Sequence, residues 1–132
     1  MADVTIETVS AVVGQIYEAA YDQERWTDVV VRLRDLFEAS RSCIARLDQQ
    51  AFSAVGTVDD PGLCSPEAAA AHMRDPISTV AAALPVGKIF DRTRITEDGA
   101  GFRRRELWQD WMRPRDMHHG LASNLLASNG SY

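Results

Sequence analysis

Val9, Val12, Val13, Ile16, Tyr17 and Ala20 recur at i, i+3, i+4, i+7, i+8 and i+11, which draws one apolar stripe down a helix. The spacing predicts helix 1 over about Thr5 to Ala20. A polar loop from Tyr21 to Arg25 follows, and then a second helix start. Thr27 is the expected N-cap, Asp28 suits the positive end of the helix dipole, and Trp26 is placed to staple onto Val31. Val29, Leu33, Leu36 and Phe37 give helix 2 its apolar face as far as Ser40. Two amphipathic helices in succession need a further layer to cover.

That layer reads as a sheet. Cys43, Ala45 and Leu47 alternate with Ile44 and Arg46, and Phe52, Ala54, Gly56 and Val58 alternate along the next stretch, so a β-hairpin is expected. Its small thiol Cys43 is expected on the apolar face. Asp59-Asp60-Pro61-Gly62 supplies turn chemistry. Ser65-Pro66 is a cap followed by a first-turn proline, predicting a short helix over Glu67 to Met73. A second short helix follows Asp75-Pro76, over Ile77 to Ala83. Leu84-Pro85-Val86-Gly87 fits a type I turn, and Lys88 to Asp91 a short strand. Phe102 to Met112 is the best helix of this half, with Leu107 paired to Trp111 and Trp108 to Met112 at i, i+4 and Pro114 as terminator. His119 to Ala127 reads as a last strand, with one of His118 and His119 inward and the other outward at its entrance. The expected class is α+β: two N-terminal helices and a mostly antiparallel sheet with helices on one face.

At 132 residues the chain is expected to form a single domain spanning 1–132, with an ordinary apolar fraction of 45%. The formal charge of −5 excludes a general grip on nucleic acid, which needs a basic surface. The sign is uneven: residues 1–87 carry net −7 and residues 88–132 net +2, the latter including Arg103-Arg104-Arg105. No basic stretch precedes an apolar run at the N-terminus, and no stretch is long enough to span a bilayer. Cys43 and Cys64 make no disulfide framework, and a cytoplasmic location holding both as thiols is expected.

No residues are assigned to catalysis. Cys64 lies near a helix start, yet no histidine is placed beside it, and Glu106 and Asp110 are like charges on one face. His118-His119 with Cys43, Cys64 and His72 lacks the spacing of a structural zinc site, so neither metal nor cofactor is expected. The aromatic residues read first as core. The sharper reading makes them the wall of a ligand cavity between sheet and helix, formed by Trp108, Trp111, Phe90 and His119.

Four stretches carry a resemblance: IYEAAYDQERWTDVVVRLRDLFEAS at Ile16–Ser40, DPIS at Asp75–Ser78, LPVGKIFDRTRI at Leu84–Ile95 and RRELWQDWMRPRDMHHGLASNLL at Arg104–Leu126. In this order they resemble the N-terminal sensory region of bacterial LuxR-type transcriptional regulators. The resemblance implies a PAS- or GAF-like sheet and a non-enzymatic, signal-receiving module that takes a small ligand or a partner. DNA would be reached only through a helix-turn-helix domain, which this sequence does not contain. The alternative is a stand-alone interaction or dimerisation domain with no small ligand. Asn129-Gly130 calls for a hairpin turn, with only Ser131 and Tyr132 after it. The expectation is therefore a fragment lacking a central strand of such a sheet, whose exposed strand edges leave it weakly stable, homodimeric through those edges, or aggregation-prone.

Overall fold

The computed structural model describes residues 3–47, 52–56, 65–91, 94–95 and 99–125. It is α+β, with helices and two small antiparallel sheets of two strands each. The chain divides into two compact units, one formed by residues 1–45 and 53–64, the other by 46–52 and 65–132.

In the first unit, α1 (Ile6–Tyr21) starts where Thr5 accepts the Thr8 N–H at 3.2 Å, leaving one orphan donor fewer at the helix end. A 3-10 turn over Gln23–Arg25 leads into α2 (Trp26–Leu36), which packs on α1. Asp22 caps that turn through the Glu24 N–H, and Arg25 binds Glu18 at 2.6 Å and Asp22 at 3.3 Å. The joint between the helices is thus fixed by one guanidinium reaching both sides. Three expectations change here. Trp26 is the first residue of α2 and half-buried, Thr27 lies inside the helix, and the N-cap Arg25 offers no capping side chain. α2 ends four residues early, because Phe37 closes it and Glu38 turns left-handed at φ 50°, which leaves Phe37 exposed.

The largest correction concerns the α1 stripe. Val12 and Ala19 are buried, whereas Val9, Val13, Ile16 and Tyr17, expected in the core, are exposed. α1 is apolar on two faces, and the narrower one is the buried one.

β1 (Cys43–Leu47) and β2 (Phe52–Gly56) pair as the expected hairpin. The face of β1 is reversed: Ile44 is half-buried, while Cys43 and Ala45 are exposed. Period-2 alternation gives two candidate faces, and at residues 43–45 the larger apolar side chain, Ile44, is the one drawn inward. The turn at residues 59–62, Cys64 and Asn129-Gly130 lie outside the described residues.

In the second unit, α3 (Pro66–Arg74) is capped by Ser65, whose hydroxyl accepts the Ala68 N–H at 3.1 Å. Asp75 ends α3 and caps α4 (Pro76–Ala82) by accepting the Ile77 N–H at 2.9 Å. The following turn sits one residue later than expected. Lys88 N–H bonds Pro85 C=O and Gly87 has φ +81°, so glycine occupies the third position, as a type II turn requires. β3 (Ile89–Asp91) pairs antiparallel with β4 (Leu121–Ser123) in the register Ile89–Ser123, Phe90–Ala122, Asp91–Leu121. The last strand is shorter than the sequence suggests. Among the described residues the two ladders form separate sheets, not one continuous sheet.

The expected 102–112 helix is broken in two. α5 (Gly99–Phe102) gives way to turns, and Leu107–Met112 is a π-helix closed by the Arg113 N–H on Trp108 C=O. Wider turns replace the i, i+4 partnership expected of Trp108 and Met112, and both are drawn into the core.

Candidate functional site

The four residues expected to line a ligand cavity do not converge on one. Trp108 is 7% exposed and sealed in a cluster with Ile77, Phe102, Leu107 and Met112, against which Trp111 packs half-buried. Phe102 and Trp108 meet tilted, with ring centroids 6.1 Å apart. Phe90 is buried on β3 beside Ala122, outside this cluster. His119 is exposed, its Nδ1 3.9 Å from Asp91 Oδ2. His118 is exposed as well, with Nε2 2.5 Å from Asp116 and its ring 5.9 Å from Trp108. The expected inward and outward split of this pair fails because the strand begins two residues beyond His119, so strand alternation does not govern them.

Basic side chains instead cover the aromatic cluster from outside. Arg103 stands 5.8 Å from the Trp108 ring, Arg105 5.5 Å from Phe102 and Arg115 5.0 Å from Trp111. Guanidinium planes on aromatic faces gain quadrupole attraction while keeping their charge hydrated. The basic run that the sequence sets apart therefore serves, in part, as a lid on the core.

A cavity does exist in this unit, in a different place. It measures about 150 Å³ and is bounded by Ala71, Arg74, Asp75, Pro76, Arg105 and Leu107, with Glu106 at its edge. Arg105 binds Asp75 Oδ1 at 2.8 Å, with the carboxylate buried, and Arg74 binds Glu106 at 2.7 Å. The hydrogen bond to Glu106, then its charge, raises the Arg74 pKa above the ordinary guanidinium value. Each cation is thus matched by an anion within the wall. The cavity is also about half the roughly 300 Å³ at which ordinary ligand pockets begin. It has neither a nucleophile beside a base nor an uncompensated charge. Among the described residues no group of three or more His, Cys, Asp or Glu could hold a metal ion. No helix among them is long and apolar enough to cross a membrane.

Sequence reasoning missed Asn124. Its buried side chain donates to Ala81 C=O at 2.8 Å and Leu84 C=O at 3.0 Å, and the main-chain carbonyl of Asn124 accepts the Gly87 N–H at 2.8 Å. It ties the end of β4 to the end of α4 and to the type II turn. Its signal, an amide beside Ser123 in the otherwise apolar run of Leu121, Ala122, Leu125 and Leu126, was present but local reading assigns it no partner.

A scan of protein-family models finds no match to this chain, nor do searches of curated proteins and of solved structures.

Proposed function

We propose that the chain is a non-enzymatic regulatory module that works through protein contacts, consistent with its resemblance to the sensory regions of LuxR-type regulators. It operates in the cytoplasm, and DNA enters only through a helix-turn-helix domain that its motifs do not supply. The observation that carries this reading is the closure of Trp108. A ligand would have to displace Ile77, Phe102 or Met112 to reach the indole, and the nearby cavity is small and internally neutralised.

The test is a thermal-shift screen with a broad set of bacterial metabolites, read beside tryptophan fluorescence. A ligand at about a hundredfold its Kd adds about 2.7 kcal/mol of stability, which is readily seen. The expected result is no shift of melting temperature and no change in emission. A compound that raises the melting temperature and also shifts the emission of a Trp26→Phe, Trp111→Phe double variant, which keeps only Trp108, overturns the reading in favour of small-ligand sensing.

A further inference from the structure

We propose that Arg103, Gln109 and Arg113 form a docking site for an acidic segment of a partner protein. The site rests on the interaction-module reading and gives that reading its partner and surface. Arg103 lies over the Trp108 ring, its guanidinium carbon 5.8 Å from the ring centroid. The wide turn of the π-helix sends the Arg113 N–H to Trp108 C=O, so a second arginine is anchored on the same tryptophan. Gln109 joins the two. Its Nε2 donates to Arg103 C=O at 2.6 Å, and its Oε1 accepts from Arg113 Nη1 at 3.1 Å. All three residues are exposed.

The charges say what fits there. Other cations of this unit are matched, Arg74 by Glu106 and Arg105 by Asp75. Asp116 faces His118. Among the described residues Arg103, Arg104 and Arg113 have no ion-pair partner, and Asp110 is the one carboxylate of residues 103–116 without one. Three cations against one anion leave an excess of positive charge with no counter-charge in the fold. Carboxylates on a partner supply it, and the guanidinium fork binds a carboxylate through two parallel N–H bonds.

Both anchored cations are held before any partner arrives, Arg103 by the indole face and Arg113 by Gln109. Ordering a free arginine side chain opposes binding, and here part of that ordering is already present in the unbound chain. A short acidic segment suits the patch better than a nucleic acid, which extends its charge well beyond three arginines and would meet a chain of net −5. The contacts are exposed, so the affinity is modest and falls as salt is added.

The experiment is fluorescence anisotropy of a labelled oligoglutamate peptide titrated with the full chain at low salt. It compares the wild type, an Arg103→Gln, Arg113→Gln double variant and an Arg32→Gln, Arg94→Gln control, which removes the same charge from exposed arginines outside the cluster. The wild type is expected to bind, the double variant at least about tenfold more weakly, and the control within about threefold of the wild type. Circular dichroism should give the double variant the wild-type helix content, since both positions are exposed. If it fails to fold, Arg113→Gln alone, which leaves Arg103 on the indole, should weaken binding in the same direction. A wild type that does not bind the peptide at about 1 mM overturns the inference. So does an equal loss in the double variant and the control, which would reduce the patch to overall charge. In both cases the interaction-module reading stands, because the metabolite screen tests it separately. Tighter binding of a single-stranded oligothymidylate than of the peptide, lost in the double variant, would assign the patch to nucleic acid and overturn the inference too.

Discussion

Asp75 and Arg105 lie thirty residues apart and meet at 2.8 Å, the carboxylate almost fully buried and the guanidinium about a quarter exposed. The same carboxylate oxygen caps α4 through the Ile77 N–H. One side chain therefore starts a helix and binds the segment that leads into the π-helix. Arg105→Ala should cost about 2–3 kcal/mol in urea unfolding, below the roughly 3–5 kcal/mol of a fully buried broken pair because Arg105 is partly solvated. Asp75→Asn, which can still cap, should cost less than Asp75→Ala, which loses both roles. Equal losses for the two Asp75 variants would remove the cap from the account.

Trp108 and Trp111 are separated by three residues and should respond differently to truncation. Trp108→Ala empties the core and should cost about 3–5 kcal/mol, whereas Trp111→Ala, at the half-buried rim, should cost less than half as much. Calorimetric melting of both variants checks the ordering, and equal losses would place Trp111 in the core as well.

Asn124→Ala leaves the Ala81 and Leu84 carbonyls without their side-chain donors in a part-buried setting. A loss of about 2–3 kcal/mol is expected, with faster amide exchange at Gly87 as the local reporter. Unchanged exchange at Gly87 would show that the turn holds without the asparagine.

Gln15 is the converse case. Its Oε1 is buried without a hydrogen-bond partner on the stripe that carries Val12 and Ala19. Gln15→Met keeps the length and removes the unmet acceptor, so it should stabilise the chain by about 1 kcal/mol in urea unfolding. Destabilisation would mean that the amide is satisfied in solution.

Local chemistry was the legible part of this fold. Ser65 with the proline after it and the Ile6–Tyr21 helix follow from capping and periodicity, which act within a turn or two, whereas Thr5, expected inside that helix, is its cap. The α+β class follows from the same signals. The π-helix was not legible, because Phe102 to Met112 satisfies an α-helical pattern and the departure depends on which residues the core draws in. For the site, the sequence found the aromatic residues but not their role. Trp108 reads equally as wall or filling until its neighbours are known, and Asp75, Arg105 and Asn124 act across thirty residues or more. The α1 stripe was read as core because apolar spacing marks a face without naming what covers it.

Indole NMR of the full chain with and without added metabolites tests the central claim most directly. The account predicts that the Trp108 indole signal stays fixed, with or without metabolites. A Trp108 indole signal that moves on adding a metabolite would contradict it.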